Sequence, residues 1–395
     1  MDWREIRSIQ SIMRIGISLF QFYKDRIGGV EDYVINLIRY SLPHLSSEEE
    51  LILFGTRTNL EYFQKLNHRR VRLVEFQYSD LYIKLLRLFN ALGMPFLLSG
   101  LMRKIKDLSP DVFLLPQQDY FLAEPDFPVV ATFVDLQHRH FPGNFSGWRR
   151  IIRNRNDRRC VQKADGLIAV SNTTRTDVIR ILGASPEQIR TIYVGAGKQL
   201  KVDESNCTPL IEGDYFFYPA NSYPHKNHLF LIDAFHCFLE KNPHVKCKLV
   251  MTGRIFPENR QGIQNRLDHR ILHLGYVTAD RLSNLYKHCA ALVFPSAFEG
   301  FGFPLIEAMH FVKPILCSDL PVFTELAGDA VCYFNRNNRD DLIEKLKMIS
   351  ATGHDSTELK KTYKPIIDKF TWDRCALSTL DWLRKIESQP IASHR

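Results

Sequence analysis

The chain reads as an α/β protein built from two doubly wound, Rossmann-like parallel sheets, and three observations predict this. Apolar, β-rich runs alternate with helical stretches nearly throughout, the pattern of parallel strands joined by crossover helices. The alternation begins afresh at residue 215, after a polar stretch without period over 198–214 that reads as a linker. At 395 residues, with 45% hydrophobic and 24% charged content, the chain suits two or three domains with a core of useful size. The expected division is 1–200, 201–370 and a last helical segment, 371–395.

In the first half, strands are expected at 13–20, 51–55, 71–76, 111–116, 129–135, 166–171 and 190–195. After the first of them, Gly28-Gly29-Val-Glu-Asp-Tyr-Val-Ile-Asn-Leu opens a helix, and a glycine pair at that place lets backbone amides approach a ligand phosphate or hydroxyl. By itself it is equally a plain turn. The strand at 129–135 ends in Val134-Asp135-Leu-Gln-His138-Arg-His140, a cluster of polar groups where a sheet of this kind binds ligand. Asp165-Gly-Leu-Ile-Ala-Val-Ser171 joins the next strand to a helix, with Ser171 as its N-cap.

In the second half, strands are expected at 215–220, 247–253, 271–276, 291–296, 314–318 and 330–334. Asn221-Ser-Tyr-Pro-His-Lys226-Asn-His follows the first of these and precedes a helix. A lysine there can neutralise charge on a departing diphosphate, an effect worth roughly 10²–10³ in rate for comparable groups, or simply cap a turn. The fourth strand runs into Phe294-Pro-Ser-Ala-Phe-Glu299-Gly300-Phe301-Gly302-Phe303-Pro304-Leu-Ile-Glu307. Glu299 sits on a loop at the carboxyl end of a strand. Gly300 and Gly302 make room for a ligand, and the following helix start attracts an anion. Glu307, about one turn into that helix, is placed to accept two hydrogen bonds from a ribose diol.

This segment resembles the Glu-x7-Glu motif of the retaining glycosyltransferases of family 4, which have the GT-B fold of two Rossmann-like domains facing across a cleft. The resemblance covers about residues 13–388 and is strongest from Lys226 to Glu325. It implies that Glu299 contacts the donor sugar, that the amides of Gly300, Phe301, Gly302 and Phe303 face sugar and diphosphate, and that Glu307 holds the ribose. Gly28 and Gly29 resemble the family's Gly-Gly loop. Lys226 matches its phosphate-neutralising lysine. The arginine usual five residues earlier is Asn221 here, which leaves Lys226 alone or recruits another cation such as Arg254. Gly253 and the turn ending in Val277 fall where the nucleotide base would lie. The histidine that leads the family's His-Asp-Leu-Gln-His segment is replaced by Val134, so Asp135, His138 or His140 is expected to serve acceptor or sugar instead. The resemblance also implies a first domain on the acceptor side, a second that binds the nucleotide sugar, and a last helix that crosses back to the first.

Composition excludes several classes. No Asp-x-Asp occurs, so a metal-bridged diphosphate is not expected, and no cofactor beyond the sugar nucleotide is. No Gly-x-Gly-x-x-Gly follows the first strand, which argues against a nicotinamide dehydrogenase. The eight cysteines lack a C-x-x-C pair and read as buried thiols of a cytoplasmic protein. The charged amino terminus does not resemble a signal peptide, and the longest uncharged run, 88–102, is too short to span a bilayer.

Net charge is +8, of which residues 1–200 carry +7, much of it between Trp148 and Arg159. Without a nucleic-acid-binding pattern, that basic stretch is a solvated helix face, a site for a phosphorylated acceptor, or a contact with anionic lipid on the inner face of the cytoplasmic membrane. The run 88–102 is a second candidate for membrane contact, or an ordinary core-facing helix. The reading is a metal-independent, retaining transferase that moves a hexose, with mannose favoured, from a GDP- or UDP-sugar to a saccharide or lipid-linked acceptor in cell-surface polysaccharide synthesis. The alternatives are a nucleotide-sugar-binding protein without catalysis and a GT-B epimerase or hydrolase.

Overall fold

Thirteen apolar runs are expected as strands, and thirteen strands form among the described residues. A computed structural model describes residues 12–22, 29–91, 93–94, 98–196, 208–351 and 355–389. The chain divides into two units, one running to Gly195 and taken up again from Trp372, the other Ala196–Thr371. The sequence reading set these boundaries at 200/201 and 370/371. Residues 198–207 of the expected linker, and Gly28, lie outside the described residues.

Unit 1 holds β1 (Met13–Ser18), β2 (Glu49–Thr56), β3 (Val71–Phe76), β4 (Val112–Leu115), β5 (Val129–Phe133), β6 (Gly166–Ala169) and β7 (Ile189–Thr191). They form one parallel sheet in the order β3-β2-β1-β4-β5-β6-β7. Its helices are α1 (Gly29–Ser41), α2 (Arg57–Leu60), α3 (Asp80–Ala91), α4 (Ser99–Lys106), α5 (Gln137–His140), α6 (Gly147–Lys163) and α7 (Asn172–Leu182). β7 is shorter than predicted because it is an edge strand whose only ladder partner, β6, ends at Ala169. Ser171 caps α7 as expected, its side chain accepting from Thr174 N at 3.0 Å. Aromatic rings knit the core: Phe20 packs edge-on against Phe76 and Phe121, and Phe54 lies 5.3 Å from Phe113.

Unit 2 holds β8 (Tyr215–Pro219), β9 (Lys248–Thr252), β10 (Ile271–His273), β11 (Ala291–Phe294), β12 (Ile315–Ser318) and β13 (Cys332–Phe334). They too are parallel, in the order β10-β9-β8-β11-β12-β13. Between and after them run α8 (His228–Lys241), α9 (Pro257–Gln264), α10 (Ala279–His288), α11 (Phe303–His310), α12 (Pro321–Ala327), α13 (Arg339–Ala351) and α14 (Ser356–Ile367). Strands covered by helices on both faces must be apolar on both, which is why β11, Ala-Leu-Val-Phe, is buried at every position.

In each sheet the order reverses once, at β1/β4 in unit 1 and at β8/β11 in unit 2. Where neighbouring strands feed helices on opposite faces, their following loops part and leave a crevice at the carboxyl edge. The candidate site residues singled out from the sequence follow β1 and β5 in unit 1 and β8, β9, β10 and β11 in unit 2.

The last helix, α15 (Trp372–Glu387), belongs to unit 1 and packs on α1. Its buried face includes Trp372, Cys375, Ala376, Leu380, Trp382, Leu383 and Ile386. Arg384 adds a two-pronged ion pair to Glu49 at the start of β2, at 2.8 and 2.9 Å. That guanidinium holds the Glu49 carboxyl below its usual range.

Within the 88–102 run, Leu98, Leu101 and Met102 are buried in the unit 1 core, which sets the described part of that run against the core rather than a membrane. Among the described residues, no helix is long and apolar enough to cross a membrane. The described cysteines are all free thiols.

Candidate active site

The site of unit 2 is assembled by two loops that bond to each other's backbone. After β8 the chain makes a single 3₁₀ turn, Pro224–Lys226, with Asn227 in the left-handed conformation. Tyr218, buried on β8, donates its hydroxyl proton to Lys226 O at 2.7 Å. From the β11 side, Ala297 N donates to His225 O at 2.8 Å, and Asn227 Nδ2 donates to Pro295 O at 3.1 Å. These bonds bring together two side chains that are 73 residues apart in the chain: Lys226 Nζ lies 2.5 Å from Glu299 Oε1. Ser296, fully buried, donates to the same carboxylate oxygen at 2.7 Å. The pair is mostly sheltered, Lys226 being 19% and Glu299 11% exposed. In such surroundings a fixed charge acts on a ligand far more strongly than it would in water.

Next along the chain, Gly302 adopts φ +136°, and a Cβ there would stand 2.9 Å from the Phe323 ring. Only glycine satisfies both conditions, so the loop can turn directly into α11 with Pro304 in its first turn. Phe301 turns its side chain inward, edge-on to Phe303 and Phe370, so what it offers a ligand is its backbone. Glu307 is half-buried on α11, and its Oε2 accepts the Tyr286 hydroxyl at 2.7 Å.

The edge next to β8 is laced in the same way. Asn221 Oδ1 accepts from Arg254 N at 2.8 Å, and Ser222 N donates to Arg254 O at 2.9 Å. Asn221 therefore acts on the backbone of the neighbouring loop. Gly253, at φ +109°, lies so close to Ala220 that a Cβ would be 2.4 Å from that carbonyl oxygen. The Arg254 guanidinium rests 5.7 Å from the ring centre of Tyr276, which is 68% exposed, one residue before the half-buried Val277. Burial pushes His228 down to about 3, so it is neutral at ordinary pH and shares a 3.1 Å hydrogen bond with Ala220 O.

In unit 1 the loop after β5 is held by Gln118, which accepts from Val134 N at 3.1 Å and donates to Asp135 O at 2.8 Å. Asp135 is half-buried, and its Oδ1 accepts from Gln137 N at 3.0 Å. His138, expected from the sequence to meet acceptor or sugar, has its ring in the core instead. Its Nε2 is 2.8 Å from Asp157 Oδ2 of α6, and both side chains are essentially unexposed. The physical reason is Asp157 itself: burial raises its carboxyl pKa, and the hydrogen bond with the His138 ring, together with the nearby Arg139 and Arg153, offsets part of that cost. His140 is at the surface, 2.6 Å from Asp177. Gly29 is the first residue of α1 and is exposed.

Four contributors were not singled out from the sequence. Ser296 and Gln118 each carry a local signal, a polar residue two or three positions after an apolar strand. Tyr286 carries none, because it occupies an ordinary apolar position of an amphipathic helix, and Asp157 is hidden among arginines.

Residues 27–196 match the model of Glycosyltransferase Family 4, and residues 210–364 that of Glycosyl transferases group 1. O-antigen chain mannosyltransferase B of Escherichia coli is 23% identical over 67% of this chain and 74% of that protein. O-antigen chain mannosyltransferase RfbU of Salmonella typhimurium is 26% identical over 55% of this chain and 60% of its own length. Among solved structures, Anabaena HepE in complex with UDP-glucose superposes with a TM-score of 0.69 at 18% identity, covering 94% of this chain and all of that one. WaaG, a glycosyltransferase involved in lipopolysaccharide biosynthesis, does so with a TM-score of 0.66 at 12% identity, covering 93% and 99%. With a family 4 half in unit 1 and a group 1 half in unit 2, on two parallel α/β sheets, the chain belongs to the GT-B glycosyltransferases.

Proposed function

We propose that the protein transfers a hexose, with retention at the anomeric carbon and without a metal ion, from a nucleoside diphosphate sugar to a saccharide acceptor of a cell-surface polysaccharide. The observation that carries this reading is the Lys226–Glu299 pair, with its Ser296 support, at the β8/β11 reversal and beside the start of α11. Glu299 orients the sugar, and Lys226 together with the positive end of α11 takes up charge on the leaving diphosphate. Glu307 accepts from the ribose hydroxyls. In the transfer step the bond from C1 to the diphosphate oxygen breaks while the acceptor oxygen bonds to C1 on the same face. The acceptor hydroxyl proton passes to the departing diphosphate, so no enzymic nucleophile is required.

The O-antigen mannosyltransferases among the relatives support mannose, and hence GDP-mannose, as the donor. Incubation with a panel of GDP- and UDP-hexoses and oligosaccharide acceptors, with the product linkage read by NMR, tests donor, transfer and retention together. An inverted product, or activity that disappears with chelator and returns with a divalent cation, overturns the corresponding part. Donor binding without turnover on any acceptor would favour a nucleotide-sugar-binding protein, a reading for which Val134 in place of the family histidine speaks.

For α6 the reading is contact with an anionic membrane. Trp148 and Ile151 are about half exposed among the exposed arginines 149, 150, 153, 155 and 158, the composition of an interfacial helix. Flotation with vesicles rich in acidic lipid at low salt checks it, and equal flotation by a variant with Trp148→Ser and Ile151→Ser counts against it.

A further inference from the structure

Glu307 does not stand alone on α11. The Tyr286 phenol from α10 is completely buried, with its ring stacked on Phe311 at 5.4 Å and 5° and edge-on to Phe217 at 5.1 Å and 89°. Rings packed on two sides leave the hydroxyl almost no freedom, and that hydroxyl points its proton at Glu307 Oε2, 2.7 Å away. A phenol has one proton to donate, and here it goes to a carboxylate. Burial, first, and the neighbouring carboxylate keep that proton on the phenol throughout the working pH range.

A glutamate on the first turns of a helix otherwise samples several side-chain rotamers, and choosing one of them on ligand binding costs free energy. A rigid donor on Oε2 removes that cost by fixing the carboxylate plane, and with it the directions along which the carboxylate accepts further hydrogen bonds. We propose that Tyr286 is a positioning residue for the donor nucleotide, holding Glu307 in the rotamer that accepts the ribose hydroxyls. The inference rests on the ribose role given to Glu307 above.

Tyr286→Phe keeps both ring contacts and deletes only the hydroxyl. The expected result is a KM for the sugar nucleotide raised about tenfold, in line with the loss of one hydrogen bond to a charged group, with kcat within about twofold. Nucleoside diphosphate affinity by calorimetry should fall by the same factor, whereas a 2′,3′-dideoxyribose analogue should bind wild type and variant equally. In a Glu307→Ala background, adding Tyr286→Phe should have no further effect. If Glu307→Ala weakens nucleotide binding and Tyr286→Phe does not, or if the two losses multiply, the positioning role of Tyr286 is wrong and the ribose role stands. If neither substitution changes affinity, the ribose role fails and takes this inference with it. Thermal melting of Tyr286→Phe separates these outcomes from misfolding, and an equal loss for the dideoxy analogue would mark a general structural effect and overturn the proposal.

Discussion

The loops at the carboxyl edge of unit 2 and those of unit 1 use their polar residues differently. In unit 2, side chains bond to side chains: Lys226 and Ser296 converge on Glu299, and Tyr286 on Glu307. Both units also use side chain-to-backbone bonds, from Tyr218, Asn221 and Asn227 in unit 2 and from Gln118 to Val134 and Asp135 in unit 1, but the buried His138–Asp157 pair of unit 1 lies inside the core and not at a loop. On the proposed assignment of the donor to unit 2 and the acceptor to unit 1, unit 2 presets charges, which suits a ligand part that every donor shares. Unit 1 presets the shape of a loop, which can be altered residue by residue without disturbing a charge network, and acceptors are what differ among transferases.

The sharpest way to break this comparison is His138→Ala. It removes the hydrogen-bond partner of the buried Asp157 carboxyl and leaves a cavity where the ring was, and should cost about 3 kcal/mol of stability in denaturant titration, with donor affinity unchanged. Because burial raises the Asp157 carboxyl pKa, the variant's deficit should be smallest in acid, where protonation removes the charge, and should grow as pH rises. A stable variant that binds donor but no longer transfers sugar would instead make His138 a substrate contact.

Lys226→Ala comes next. It should lower kcat by roughly 10²–10³, equivalent to about 2.7–4 kcal/mol, with a smaller change in donor KM, measured by steady-state kinetics. An unchanged kcat would remove the functional half of the contrast. The Arg384–Glu49 pair bears on the stability of unit 1. The Glu49 carboxyl titrates below its usual value when folded, so its contribution is present above about pH 4.5 and is lost as pH falls through the folded value. Glu49→Gln should cost about 1–3 kcal/mol at neutral pH, between the values for exposed and buried pairs, and should flatten acid denaturation followed by circular dichroism. The smallest effect is expected from Gln118→Ala. Loss of two hydrogen bonds, about 1–2 kcal/mol, should loosen the 134–137 loop and raise acceptor KM a fewfold while donor KM stays the same.

How far the chain could be read in advance follows from what each feature depends on. Parallel strands are apolar over their whole length, so runs such as 291–294 announce themselves locally. The acidic pair was equally legible, because Glu299, the glycine loop and Glu307 lie within one turn from strand to helix. His138 was not, because its position after a strand suits a ligand contact as well as a core residue. What decides between them is Asp157, on the far side of the basic surface of α6. Tyr286 was hidden for the opposite reason: its ring fits the apolar face so well that nothing in the pattern marks the hydroxyl. Side chains whose role depends on a partner far along the chain are the ones local pattern leaves undecided.

Because α15 completes unit 1, the unit whose synthesis starts earlier is finished later. Residues 196–371 are contiguous and have all their strands by Phe334, whereas α1 and Glu49 wait for a helix that begins at Trp372. During synthesis unit 2 has the opportunity to fold while unit 1 is still short of Arg384 and Trp382. A nonsense mutation just before Trp372 would then spare unit 2, encoded next to it, and damage unit 1, encoded before it.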